Sequence, residues 1–227
     1  MVIGGVVLLL RQVAMGVTDG DRVATGAAMA LLVCSPAFVV NGASFYSMNA
    51  HLFANLLFVN LVMSPTFARL VAAGAVGAWA LSLHNPLPHL LFAWPWWLLL
   101  VRGAGGWRRI LALAVGYVPL ALLLVVGWNL EQRGLRGTVT GSPFALPGLA
   151  LIEVRLLNLG KLILWAPFGL VPLAALGAWR ARRLRSGWPW IAAALATLAG
   201  YFFLPVDQGH GWGYRYFHSA YMTLPLL

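Results

Sequence analysis

Between Val23 and Ala68 the chain reads VATGAAMALLVCSPAFVVNGASFYSMNAHLFANLLFVNLVMSPTFA, without one Asp, Glu, Lys or Arg. A helix needs about 20 predominantly apolar residues to cross a hydrocarbon layer of about 30 Å, so the stretch holds two crossings. It breaks once, at Asn41-Gly42-Ala43-Ser44-Phe45-Tyr46-Ser47-Met48-Asn49, where Gly, Ser and Asn mark a polar turn. Two apolar helices joined by such a turn form the repeating unit of a chain that folds in lipid.

The same pattern continues on both sides. Leu70 to Val101 is also free of acidic and basic residues and breaks at His84-Asn85-Pro86-Leu87-Pro88-His89. Proline removes a backbone donor and disfavours helix in the residue before it. Further crossings are expected at Ile110–Leu130, Leu156–Trp179 and Trp188–Val206. Met1–Val17 is a shorter one carrying Arg11, and Met222–Leu227 begins another. Leu90–Val101 is short, so its helix is expected to start inside the Pro-rich turn. The expectation is an all-α, polytopic transmembrane helical bundle of about eight spans plus a truncated ninth. It forms one transmembrane domain over residues 1–227, read as part of a larger protein cut at both ends.

Composition agrees. Of 227 residues 61% are hydrophobic and 9% charged, with mean hydropathy +0.84; a soluble domain carries about 25% charged residues. A soluble enzyme, a disordered tail and a disulfide scaffold are excluded, the last also because Cys34 is the sole cysteine. The Ala-, Leu-, Gly- and Arg-rich makeup, with Lys161 as its one lysine, suits a GC-rich bacterial genome.

The net charge of +10 would suggest nucleic acid in a soluble protein. In a membrane protein it sets orientation, because Lys and Arg collect in cytoplasmic loops. Alternating the spans puts Arg22, Arg69, Arg102, Arg108, Arg109, Arg180, Arg182, Arg183 and Arg185 on one side, in short loops. Arg133, Arg136, Arg155 and Arg215 fall on the other. The first side is therefore read as cytoplasmic. His51, His84, His89, His210 and His218, with Glu131, Glu153 and Asp207, then lie on the outer face, and chemistry is expected there.

The densest candidate is Pro205-Val206-Asp207-Gln208-Gly209-His210-Gly211-Trp212-Gly213-Tyr214-Arg215-Tyr216-Phe217-His218. Its glycines forbid a regular helix. Asp207 suits a base or cation ligand, His210 or His218 a proton relay, and Arg215 a fork for phosphate. The bland alternative is an interfacial loop with Asp207 paired to Arg215. His84, Asn85 and His89 are candidates for substrate contact or simply the ends of a rigid turn; their spacing does not match a helical metal pair. Tyr46, Asn49 and His51 could line a polar cavity, but helix caps at the interface are the commoner role and the reading preferred here. Glu131 to Arg155 is the longest loop, with an apolar middle that lies along the membrane surface. Arg155 and Lys161 follow at the mouth of the next helix, positioned to bind a lipid phosphate or to snorkel. Ala73/Gly77 and Gly74/Ala78 are small-residue pairs for close helix packing. There is no nucleotide, zinc-protease or redox motif, and no metal or other cofactor is expected.

Several of these stretches together resemble the glycosyltransferase C superfamily of polytopic membrane enzymes, which includes protein O-mannosyltransferases and lipid A aminoarabinose transferases. They are Leu31–Phe38 with Gly42–Met48, the turn His84–His89, Lys161–Pro167 and Asp207–Tyr216. The resemblance implies an enzyme of the bacterial inner membrane and cell envelope. It would transfer a sugar from a polyprenyl-phosphate donor to an acceptor on the extracytoplasmic face. The outer-face clustering marks Asp207 and His210 as the catalytic residues expected to orient sugar or acceptor hydroxyls. Arg215, with Lys161 or Arg155, would neutralise the donor phosphate, and Tyr214, His218, His84, Asn85 and His89 would contact substrate. The family's acidic residue in the first outer loop would precede Met1. The alternative is a non-enzymatic multi-span protein, such as a lipid-linked-sugar translocase, or an inactive remnant. A translocase needs polar groups along mid-membrane faces, whereas here they gather at one end.

Overall fold

A computed structural model of the chain describes residues 2–43, 47–83, 86–132, 148–181, 187–203 and 217–227, the side chains of Gln132, Asn158, Lys161, Leu162 and Phe203 excepted. The described residues are helical throughout, with no strand among them. Helices α1 (Val2–Val17), α2 (Arg22–Val33), α3 (Pro36–Ala43), α4 (Met48–Met63), α5 (Phe67–Ser82) and α6 (Leu87–Arg102) come first. Then come α7 (Gly106–Ala121), a π-helical segment (Leu122–Gly127) and α8 (Trp128–Gln132), followed by α9 (Leu149–Leu164), α10 (Leu170–Ala181), α11 (Trp188–Phe203) and α12 (His218–Tyr221).

Local chemistry sets the boundaries. Asp21 caps α2 by accepting from the backbone N–H groups of Val23 and Ala24, and Thr66 caps α5 through Arg69 N. The turn between α1 and α2 needs left-handed backbone at Asp19 (φ 51°) and Gly20 (φ 84°), which Asp and Gly tolerate best. Arg69 reaches back to the C-terminal end of α4, donating Nη2 to Asn60 O at 2.6 Å and Nε to Leu61 O at 3.4 Å. A cation there satisfies carbonyls that the helix leaves without partners. α6 begins at Leu87, inside the Pro-rich turn, as its short apolar run required.

Three stretches differ from the sequence reading. The crossing expected from Val23 is not one straight helix: α2 and α3 meet at an angle of 55°, because Pro36 cannot donate to the preceding turn. Leu156–Trp179 is likewise two helices, α9 and α10, separated by Pro167 and by Gly169 at φ 82°. α9 begins at Leu149, so Arg155 and Lys161 stand inside a helix rather than at its mouth, and the long loop stops short of Arg155. Met222–Leu227 is no regular helix either. Pro225 lacks a backbone donor, and the chain closes in a 3-10 turn, Leu224–Leu226, packed on α2, α10 and α11.

Among the described residues one continuous helix, Gly106–Glu131, is long and apolar enough to cross a membrane by itself, and the bent α2–α3 pair qualifies if taken as one span. Helices α1, α4, α5, α10 and α11 are apolar but shorter. A helix of 16 residues, such as α1, α4 or α5, rises about 24 Å, short of the hydrocarbon thickness of about 30 Å. The long helix contains Pro119, and the π segment starts three residues later. A proline leaves a carbonyl without its N–H and pushes on the turn before it, and a π-bulge absorbs such a misfit.

α4 is the hub. Leu52, Ala54, Asn55, Leu56, Phe58 and Val59 are wholly buried on all its sides, with α1, α5, α6 and α12 packed around it. α5 and α7 make the closest pair. A Cβ on Gly74 would strike Leu113 O, and one on Gly116 would strike Val71 O, so the two backbones touch where side chains are absent. That is the close approach the small-residue pairs lead one to expect.

Candidate functional site

α4 carries Asn49, His51, Asn55 and Asn60 among apolar neighbours, and each asparagine meets a different element. Asn60 Nδ2 is 3.4 Å from Gln12 Oε1 on α1. Asn55 Oδ1 accepts from His89 Nδ1 on α6 at 2.7 Å, while its amide nitrogen faces Pro88 O at 3.5 Å. Asn49 Oδ1 accepts from His218 Nε2 on α12 at 2.7 Å, across 169 positions of sequence. All but Asn60 and Gln12 lie in the interior: Asn49, His51, Asn55, His89 and His218 are at most 5% exposed. Each of the three histidines stands within the first four residues of its helix, so the bundle gathers them at one end.

The two Asn–His pairs differ in what surrounds the imidazole. His89 sits in an aromatic shell: Phe58 edge-on at 5.2 Å, Tyr117 stacked at 6.0 Å and Trp97 edge-on at 6.5 Å. Its Nε2 is buried against Gly77, where an added Cβ would come within 2.9 Å. No ligand fits between them; this pair is packing. His218 lies parallel to Phe38, with ring centroids 6.4 Å apart and planes 5° apart. Burial lowers its pKa from 6.5 to about 3, because the charged imidazolium loses its hydration. His218 is neutral at physiological pH, with Nε2–H donated to Asn49.

Beside α12 lies an apolar cavity of about 220 Å³, lined by Leu159, Ile163, Val171, Leu198, Phe217 and Leu224 among others. Phe217, Ala220, Tyr221 and Leu224 face it, while His218 faces α4. One short helix thus turns His218 to the buried polar end of α4 and its apolar side chains to the cavity.

Of the residues expected to carry chemistry, His89 and His218 are brought to the same end of the bundle, each bonded to an asparagine of α4. Arg155 is fully buried on α9, one turn before Leu159 of the cavity wall. His84, Asn85, Asp207, His210, Tyr214 and Arg215 lie outside the described residues, as does the side chain of Lys161. Among the described residues no group of three metal ligands exists. The capping role expected of Asn49 and His51 is not what the fold shows: both lie within α4 and are buried. Asn55 is the buried polar residue that sequence reading passed over, and the pairing of Asn49 with His218 was not foreseen. The available signal was polar residues six apart in a helix otherwise apolar on all sides, where an unpaired amide is costly.

Comparison with family models, with curated proteins and with solved structures found no match to this chain.

Proposed function

We propose that the chain is the membrane-embedded part of a glycosyltransferase that moves a sugar from a polyprenyl-phosphate donor to an acceptor at the extracytoplasmic face of a bacterial inner membrane. In this reading the shorter apolar helices also cross the bilayer, making about eight spans and the start of a ninth. Their deficit of about 6 Å is met by local thinning and by flanking residues that reach the interface. Support comes from the one long helix: Trp107 and Trp128 are 65% and 61% exposed, and between them the helix rises about 31 Å, one hydrocarbon thickness. Arg108 and Arg109 follow Trp107 on the side read as cytoplasmic.

The observation that carries the functional reading is the His218–Asn49 bond. It fixes a neutral imidazole at the polar end of α4, three residues after Arg215 in the chain and beside the apolar cavity. A lipid-borne sugar requires that combination of polar and apolar surface. Arg215, with Lys161 or Arg155, neutralises the phosphate as the glycosidic bond breaks, and Asp207 and His210 orient hydroxyls. The test is transfer of radiolabelled sugar from polyprenyl phosphate by the full-length protein in membrane vesicles. Asp207→Ala and Arg215→Ala are expected to lower the rate at least a hundredfold; an unchanged rate in both overturns the reading.

A further inference from the structure

The cavity beside α12 is built by four helices, and every wall of it is apolar. Leu159 and Ile163, one turn apart on α9, form one side; Ala194 and Leu198, one turn apart on α11, form another. Val171, from the first turn of α10, and the rings of Phe217 and Tyr221 complete it. Two features leave the space unfilled. Ala194 and Ala220 each contribute only a methyl group where a larger residue would reach in. The break at Pro167 and Gly169 ends α9 before α10 begins, so Leu159, Ile163 and Val171 approach the cavity from separate helices.

The cavity opens sideways, along α9. Ile163 lines it and is nevertheless 64% exposed, which marks the mouth. None of the described helices packs closely along α9. Just beyond its end, Trp165 O accepts from Ala37 N at 3.4 Å and from Ser35 Oγ at 3.5 Å, so the break after α9 rests on the bend between α2 and α3. Leu156, Leu157 and Leu164 of the same helix are exposed as well. With the bundle in a bilayer, these side chains meet hydrocarbon, and hydrocarbon is what reaches the mouth.

Size and lining select the guest. A cavity of about 150 Å³ lined by Leu, Ile and Phe stays dry and takes up benzene; this one, at about 220 Å³, holds a short run of methylene groups. Its walls offer no hydrogen bond, so a headgroup or a sugar buried there would lose its hydration without return. Hydrocarbon entering from lipid gains no hydrophobic energy, since lipid tails are as apolar as Leu. It gains instead the dispersion contacts that the lining of an empty void lacks. We propose that the cavity is a lateral lipid site, occupied in the resting protein by one acyl chain of a membrane phospholipid, which holds α9 to the bundle. The site rests on the bilayer reading above and not on sugar transfer, because a donor lipid entering the same space displaces the chain.

The test places the full chain in nanodiscs of phosphatidylcholine that carries a diazirine midway along one acyl chain. Illumination followed by peptide mapping in the mass spectrometer locates the adducts. In the intact disc, adducts are expected on Leu111, Val115 and Val118, which are exposed on the long helix, and on Leu159, Leu198 and Tyr221 of the cavity. When the disc is dissolved in excess dodecyl maltoside before illumination, the first set is expected to be lost and the cavity set to remain. Ala194→Phe and Leu159→Phe, which fill the cavity from different helices, are each expected to abolish the cavity adducts and spare the others. The wild-type map needs neither variant, so one that fails to fold does not remove the test. A long helix without adducts in the intact disc overturns the bilayer reading and the site with it. A labelled long helix with unlabelled cavity walls, or cavity adducts lost in detergent along with the rest, overturns the site and leaves the bilayer reading standing. So does protein purified from native membranes that retains a polyprenyl phosphate in place of a phospholipid, which gives the cavity to the donor.

Discussion

At the scale of single residues, the interior of this chain is decided by where its few polar groups find partners. His218 is the clearest case, because its folded pKa of about 3 lies well below the unfolded value of 6.5. Its contribution to stability is complete above pH 6.5 and is lost as pH falls, because the unfolded chain takes up a proton that the folded chain refuses. The melting temperature of the purified protein is therefore expected to fall steadily from pH 7 to pH 4. His218→Gln, which can still donate to Asn49 but does not titrate, is expected to flatten that part of the profile; an equally steep fall in the variant would assign the loss to other groups. His89 and Asn55 form a bond of the same length in a drier setting. Replacing Asn55 by Leu should cost about 1–3 kcal/mol, since it leaves a buried imidazole N–H without an acceptor. Denaturation of the single variants and of a double variant that also removes His89 checks this, with the double expected to be less destabilised than the sum.

At the scale of elements, the α5–α7 contact depends on hydrogen atoms standing where side chains would be. Gly74 and Gly116 each face the partner helix's backbone, which cannot move aside as a side-chain end can. Gly74→Val or Gly116→Val should prevent the two helices from closing, seen as loss of the monodisperse folded protein in detergent. Gly4→Ala is the control, because a Cβ there meets nothing within 4 Å, and its melting temperature should stay the same or rise slightly. The small-residue spacing of α5 was legible in the sequence. Gly116 as its counterpart was not, because pairing of helices is set by the whole bundle. The breaks at Pro36 and Pro167 were also readable as proline positions, yet both interrupt apolar runs that hydropathy alone counts as continuous. Hydropathy averages over side chains, whereas a helix is broken by one missing backbone donor.

At the scale of the whole molecule, the orientation expected from the arginines is tested independently of function. With the short Arg-rich turns inside, a reporter active only in the cytoplasm should work when fused after Ala104 and fail when fused after Gln132, and an export-dependent reporter should show the reverse. The opposite pattern would invert the topology and move the His218 end to the cytoplasm. The exposed apolar faces agree with a lipid surround: Leu111, Val115, Val118, Leu122 and Val126 are all about half exposed along one long helix, a surface that water does not tolerate in one continuous stripe.

Composition and the length of charge-free runs were enough to establish that the chain is all-helical and apolar, and roughly where most helices lie, because both depend on local sums over side chains. They also directed attention to one end of the bundle, where His51, His89 and His218 lie. Which partner each of those histidines takes emerged only once the helices were packed together. Asn49 and His218 are far apart in sequence and Asn55 and His89 are nearer, yet both pairs form the same hydrogen bond. They differ in what surrounds the ring: Gly77 and Tyr117 lie against one imidazole and Phe38 against the other. No local pattern records which helix comes to rest against which.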